Sequence, residues 1–509
     1  FHPRLAPLSA LLLLLALAPS AAAIGIERIS QVVVADSEEP FSRRIYSYDI
    51  DTDSAGNLHL VYARPVSGAN ACDIIYATGP SPSNLVSSVL ATDAKLGSIS
   101  TALLVDPATD IVHVSYILHQ NDPDTCLVHQ SITAGVPSAP HVVAFGGWHT
   151  KMQLNADGQP LFVRENGTSL NLLWPAGDDA WTPIAFAPSG PIQYRIADFA
   201  YDPARWTYHV TYGDNAGTHN GAPLHNLHYA FSQGATHWDH EIVDDSLTLW
   251  ELEFWTDLVI GGDGQPVVSM YKYAEYGGAY NTGTSLLLAR RTGSAWNKQI
   301  IAGTIPGLTP PDHRAGMGGQ ILLDDFGILY GAWDNSPDTP IDFDGAYGNI
   351  AMNHAVSDSP WQSPFQVEPF SAEGFCRLAL HGSNLYLFAL AHYANAKLYL
   401  DHLHVDRSWD RTFTPIGGGW RRLSWFGDYV PMELDGWVWH AQHGFFYIPP
   451  DAMPHTTWLY SDALSWLWTA RTVYPFFWSH ERESWLWYNG AVNPRWFVDM
   501  QSGQWLSAP

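Results

Sequence analysis

The sequence predicts an all-β protein: a seven-bladed β-propeller followed by a C-terminal array of aromatic-rich β-hairpins. A degenerate unit, best seen in residues 53–78, occurs seven times, with turn anchors Asp53, Asp106, Asn155, Asp202, Gly261, Asp324 and His381 spaced by 47 to 63 residues. Such a period belongs to propellers and arrays. Each turn leads into an alternating strand that ends in an aromatic residue, as in H-L-V-Y to Tyr62, H-V-S-Y to Tyr116 and H-V-T-Y to Tyr212, and alternation of this kind is a strand signal. Past residues 415–419 the period drops to about 20, and twelve of the 23 tryptophans fall in the last ninety residues.

In chain order, residues 1–23 read as a secretory signal peptide. Basic residues come first, then an apolar run over 8–17, then small residues at Ala21 and Ala23. The run is too short for a permanent membrane span. The expected localisation is therefore secreted or at a bacterial cell surface. A net charge of −26 argues against nucleic acid or anionic membrane as a partner, since either needs a clustered basic patch.

Residues 29–35 form a strand with no repeat of its own, suited to pair with the last blade and remove an exposed sheet edge. Residues 409–413 compete for the same place. Four strands per repeat follow over residues 24–416: inner, second, third, and an outer one opened by Trp181, Trp238, Trp296, Trp361 or Trp409. Six blades is the alternative count, because the third repeat is short and the seventh weakly patterned. Of the three cysteines, Cys72 and Cys126 either bridge neighbouring blades or stay as buried thiols, and Cys376 reads as core.

Loops between second and third strands are long and polar in the fourth to sixth repeats, and long loops on a rigid scaffold are where binding concentrates. Residues that open the inner strands reach the central mouth on that face: Trp148 and His149, Tyr194 and Arg195, Trp255 and Asp257, His313 and Arg314. Tyr62, Tyr116, Tyr212, Tyr271 and Trp333 close the second strands around them, with Tyr273 and Asp334 just beyond. Aromatic rings with Arg, His and carboxylates suit a sugar, whose apolar faces stack while its hydroxyl and acid groups need polar partners. The competing reading is that aromatics at strand ends pack between blades. Asp334, Asp338, Asp342 and Asp344 offer oxygen ligands for Ca²⁺, against the reading of a solvated acidic loop. No other cofactor is expected.

With its turn-plus-Trp pattern at residues 177–181 (G-D-D-A-W) and 293–296 (G-S-A-W), the chain resembles the secreted BNR/sialidase-like propellers. The full Asp-box S-x-D-x-G-x-x-W is absent. The resemblance implies a carboxylate-clamping arginine triad, for which Arg195, Arg314 and Arg377 are available, but no Tyr-Glu nucleophile pair accompanies them. Similarity to propeller polysaccharide lyases implies Arg195 or Arg314 as neutraliser of a uronate, with His149 and Tyr273 as proton acceptors. In the C-terminal module, Gly436, Trp437, Gly444, Phe446 and Tyr447 resemble the unit of choline- and glucan-binding repeats, which implies that Trp437, Trp466 and Trp485 build aromatic cages or platforms. The reading of the whole is an exported, cell-surface-associated protein that binds an extracellular polysaccharide or cell-envelope glycan. The alternative is a polysaccharide-degrading enzyme, a uronate lyase or sialidase-like hydrolase.

Overall fold

A computed structural model of the chain describes residues 26–36, 47–66, 71–95, 101–119, 125–145, 150–166, 169–177, 180–186, 195–219, 222–247, 256–273, 284–303, 314–324, 328–336, 349–356, 365–368, 372–391, 397–405, 409–410, 413–434, 436–449, 452, 456–492 and 494–508. The signal-peptide segment lies outside them. The chain divides after Val405 into two compact units, the first being Glu27–Val405. Among the described residues the one helical turn is the 3-10 segment Pro82–Asn84. Everything else regular is strand.

The first unit is a β-propeller. Its turns form because the anchor side chain folds back onto the next backbone amides: Asp53 Oδ1 accepts from Ala55 N at 3.0 Å and Asn57 N at 2.7 Å, and Asn155 Oδ1 from Asp157 N and Gln159 N, both at 2.9 Å. This is the local side-chain chemistry that makes Asp and Asn turn residues. The fourth turn position needs a left-handed backbone, which Gly56 (φ +81°), Gly158 (φ +73°) and Gly264 (φ +80°) supply.

Each repeat is an antiparallel meander, and apolar clusters lie between neighbouring repeats. Val61, Tyr76, Val114 and Tyr116 join the first two, and Leu172, Phe199, Tyr208 and Tyr212 join the third and fourth. Counted by hydrogen bonding, the described residues give six sheets here, five of four strands and one of nine. The nine-stranded sheet holds the Asp53 and Asp106 repeats, fused where the outer strand Val86–Lys95 of the first meets Val112–His119 of the second through the pair Ala94↔Leu118. The short third repeat keeps a sheet of its own, with four strands from Thr150–Leu154 to Trp181–Ala185.

The ring is closed by the N-terminal strand, Ile26–Asp36, which pairs with Lys397–Val405 of the last repeat. Asp401 is fully buried and holds it, accepting from Gln31 Nε2 at 3.0 Å and facing Arg28 Nε at 2.8 Å. The rival residues 409–413 belong to the second unit, where Trp409 packs on Phe426 and Tyr429. Cys72 and Cys126 are buried thiols, not a bridge, and burial pushes the Cys72 thiol up to about 12. The Cys376 thiol donates to the Ala332 carbonyl at 3.1 Å.

The second unit is an eleven-stranded antiparallel meander from Thr414–Gly417 to Trp505–Ala508. The glycines at 417–419 form the tight turn of its first hairpin, all three at positive φ (+94°, +61°, +81°). Alternation gives the sheet two unlike faces. One buries Val438, Phe446, Leu459, Leu467, Phe477, Leu486 and Phe497 in a single core. The sheet curls to enclose it: a Cβ added at Gly444 would meet Arg495 Nη1 at 2.7 Å, five strands away.

Asp401→Ala leaves the Arg28 guanidinium and Gln31 amide without their carboxylate in a buried seam. The expected outcome is a loss of about 3–5 kcal/mol in propeller stability, read by denaturant unfolding with exchange of the Ile26–Asp36 amides as the local probe.

Candidate functional site

Among the described residues, two places gather chemistry-bearing side chains: the centre of the propeller and the outward face of the C-terminal sheet. In the propeller, each inner strand lies beside the next, from Tyr48–Thr52 through Ala102–Val105, Thr150–Leu154, Arg195–Asp202, Thr256–Ile260 and Arg314–Leu323 to Ala372–His381, and the last lies beside the first. An inner strand is a sheet edge, so its channel-facing amides lack a ladder partner and must be satisfied otherwise.

Side chains from the preceding repeat do this. Asp49 Oδ2 accepts from Leu103 N at 2.9 Å, Asp51 Oδ2 from Val105 N at 2.8 Å, Asp198 Oδ2 from Leu258 N at 2.7 Å and Asp257 Oδ2 from Ile321 N at 2.8 Å. Gln320 Oε1 accepts from Leu378 N. Two cations complete the ring, Lys151 Nζ at 3.1 Å from Asp198 Oδ1 and Arg377 Nε at 3.9 Å from Asp49 Oδ1. Burial pushes the Asp49 carboxyl up against the pull of Arg377, and raises Asp51 to about 7. Burial, then the neighbouring Asp198 carboxylate to which it is hydrogen-bonded, raises Asp257 well above the carboxylate range.

All but Asp51 stand at one level, four residues before their turn anchors: Asp49, Lys151, Asp198, Asp257, Gln320 and Arg377, with Ala102 at the seventh position. A polar residue at a fixed offset in otherwise apolar strands was a readable signal. Sequence reasoning took Asp257 alone from this set as a ligand contact and Arg377 as an anion clamp. The structure gives Asp257 to Ile321 and Asp198, and aims Arg377 at Asp49.

Of the other expected mouth residues, Trp148, His149, Tyr194, Trp255 and His313 lie outside the described residues. Arg195 and Arg314 open their inner strands, and Tyr271, Tyr273 and Asp334 close second strands or stand in them, but their side chains also lie outside the described set, as do Asp338, Asp342 and Asp344. Trp333 is a correction: fully buried and packed on Leu286, it is core and no ligand contact. Tyr62, Tyr116 and Tyr212 are buried too; Tyr116 donates to Gln130 Oε1 at 2.6 Å, and Tyr212 Oη lies 3.0 Å from His240 Nδ1. The last aromatic of a second strand faces a neighbouring sheet, and packing takes it. No group of three or more His, Cys, Asp or Glu among the described residues is arranged to hold a metal ion.

The C-terminal unit turns aromatic residues outward on consecutive strands. Cross-strand partners line up as Trp458↔Trp468, Trp468↔Trp478 and Trp478↔Trp485, and beside them as Trp437↔Tyr447, Tyr447↔Tyr460 and Tyr460↔Trp466. Rings prop one another edge to face, Trp478 on Trp485 at 5.6 Å and Tyr460 on Trp466 at 5.4 Å, a favoured geometry. The expected contacts Trp437, Trp466 and Trp485 all lie on this face, half-buried. More open are residues sequence reasoning did not single out: Trp439, Phe445, Trp458, Trp487 and Trp505, 36% to 54% exposed. A period-2 reading of W-V-W-H and S-W-L-W-Y finds Trp439 and Trp487. Gly436 (φ +76°) permits the close approach of Tyr447, whose ring a Cβ would meet at 2.6 Å.

Behind this face His443 is fully buried among Phe426, Phe477 and Tyr488, with Nε2 3.0 Å from the Tyr474 hydroxyl. Burial pushes His443 well below the usual histidine range and His440 down to about 4. With folded values below the unfolded one, the stability of this unit is complete above pH ~6.5 and is lost as pH falls toward about 4. Near-ultraviolet circular dichroism should show the C-terminal tryptophan signal collapsing across that interval, and His443→Phe should move the collapse to lower pH.

No protein-family model matches the chain, and no curated protein matches it. Similar solved structures include a PL25 ulvan lyase bound to -[GlcA(1-4)Rha3S]- (10% identity, 72% of this chain and 95% of that one, TM-score 0.44) and the Penicillium chrysogenum alpha-L-arabinanase complexed with arabinobiose (11%, 74% and 98%, 0.43). The Hadza microbial sialidase Hz136 is similar at 11% identity over 72% of this chain and 66% of that one, with a TM-score of 0.38. Likeness at these levels does not carry an activity across.

Proposed function

We propose that the chain is an exported bacterial protein that binds extracellular polysaccharide, with the outward aromatic face of the C-terminal sheet as its principal contact. One observation carries the reading: a multi-strand run of Trp, Tyr and Phe turned to solvent on a sheet whose core is already filled from the other side. The indoles of Trp439, Trp458, Trp487 and Trp505 are exposed, and no hydrogen bond of their N–H groups is found among the described residues. Rings with free edge donors suit sugars, which offer apolar faces and hydroxyl acceptors together. A lipid surface would leave those donors unmet.

In this reading the propeller is seven-bladed, since seven inner strands follow one another round the channel even where hydrogen bonding fuses two sheets, and its long-loop face meets the same polymer. Surface attachment falls to the C-terminal unit. Degradation of the polymer is the competing reading; the groups expected to serve it, His149, Arg195, Tyr273 and Arg314, have side chains outside the described set.

The test is incubation of the full chain with a panel of neutral and acidic polysaccharides, reading both retention and ultraviolet absorbance from unsaturated products. Retention without products is expected; release of unsaturated or shortened products would make the chain an enzyme. Trp458→Ala with Trp487→Ala should weaken retention by roughly an order of magnitude at unchanged stability, two stacking contacts being worth about 0.5–1.5 kcal/mol each. Retention that survives this pair refutes the aromatic face as the contact. Cell fractionation of a bacterial host expressing the chain tests export and envelope association.

A further inference from the structure

We infer that the polymer taken by the outward face of the C-terminal sheet is uncharged, and that the face selects it against both acidic and amine-bearing polysaccharides. The inference rests on the reading of that face as a polysaccharide contact and names the class of polymer.

The chain as a whole carries a net charge of −26, and 15% of its residues are charged. The strands from Trp437–His440 to Trp505–Ala508 nonetheless turn no charged side chain outward. They contain only Arg495 and Asp499, which alternate in phase with the core residue Phe497. Asp499 is buried and accepts from Ser484 Oγ at 2.9 Å, and Arg495 reaches toward Gly444 on the enclosed side. His440 is likewise buried, its Nε2 2.7 Å from the Phe426 carbonyl oxygen. Nearer the start of the sheet Arg422, on Trp420–Leu423, does face outward, and Asp428 on Gly427–Pro431 meets it with two hydrogen bonds, at 2.5 and 2.8 Å. Arg421 beside it is tied to Asp410 at 2.6 Å. The outward strand positions are left with no net charge.

What they offer instead is rings and hydroxyls. Beside Trp439, Phe445, Trp458, Trp487 and Trp505 stand Tyr447, Thr456, Tyr460 and Ser507, and the His480 ring, edge-on to Trp458 at 6.1 Å, adds a further polar group. Rings stack on the apolar faces of a sugar while hydroxyls exchange hydrogen bonds with its own. An acidic polymer needs cationic partners to offset the hydration its carboxylates or sulfates lose. These strands present none that is unpaired, and the net charge of the chain repels such a polymer. An amine-bearing polymer can rest on ring faces, but finds no free carboxylate among them, so its contact would yield to salt.

Retention of the full chain on polymers matched in backbone tests this, at about pH 8, where an ordinary imidazole is neutral. The probes are dextran against dextran sulfate and diethylaminoethyl-dextran, hydroxyethyl-cellulose against carboxymethyl-cellulose, and methyl-esterified against free polygalacturonate. The quantity read is the part of retention lost in Trp458→Ala with Trp487→Ala, so that any contribution of the propeller cancels. On each backbone the face retains, the neutral member should be favoured by roughly tenfold or more at low salt, and its retention should change less than about twofold between about 50 and 500 mM salt. Ser507→Lys, which puts a cation at an exposed outward position, should raise retention of the acidic members and make it salt-sensitive. Equal or stronger retention of a charged member, retention that salt abolishes, or a Ser507→Lys profile identical to that of the unaltered chain overturns the inference and leaves the polysaccharide reading standing. Absence of face-dependent retention on every polymer overturns that reading, and this inference with it.

Discussion

The constraint on which the propeller depends is the unpaired inner edge of each sheet. An inner strand has a ladder partner on one side only, and its other amides face the central channel and need partners there. The chain meets this with side chains carried one repeat upstream: Asp49 and Asp51 for the amides of Leu103 and Val105, Asp198 for Leu258, Asp257 for Ile321, Gln320 for Leu378. Because donor and acceptor belong to different repeats, satisfying an edge and locking neighbouring sheets are one act. The Asp53 repeat shows the joint from both sides, receiving Arg377 and giving Asp49 and Asp51.

The C-terminal unit answers a different problem. Twenty-residue hairpins are too short to bury their aromatic residues singly, and the meander solves this by curling one face into a common core. Period-2 alternation then puts the other half of the aromatics outside. Most half-buried Trp residues can be explained by neighbours propping them, but Trp439, Trp487 and Trp505 are open beyond what packing needs. The filled interior of this sheet is apolar, where that of a transmembrane barrel is polar.

The repeat, its turns and its four-stranded rhythm were legible in sequence because they rest on local rules, the Asp or Asn anchor, the left-handed glycine and alternation. Closure by Ile26–Asp36 was half legible, since two segments had strand character and the long-range clasp from Asp401 to Arg28 and Gln31 decided between them. Trp333 was misplaced because position at a strand end does not say which way the last side chain faces. Fusion of two sheets by the pair Ala94↔Leu118 left no mark in the residues. The channel ring did leave one, but at an offset of about fifty residues, visible only once the anchors are aligned.

Opposed titrations bound the conditions in which both units hold. In the C-terminal core His440 and His443 must stay neutral, and in the propeller burial likewise depresses His129 to about 3 and His209 to about 4. Each favours the fold above pH ~6.5 and withdraws support as pH falls below it. The channel carboxyls run the other way, for Asp51, raised to about 7, gives its full contribution in acid and loses it as pH rises through that value. A net charge of −26 adds self-repulsion on the alkaline side. The histidine contribution is complete above pH ~6.5, whereas that of Asp51 is complete below pH ~3.8 and spent by about 7, so between these values one is gained as the other is lost. Buried histidines weaken both units in acid, whereas the loss on raising pH belongs to the propeller channel.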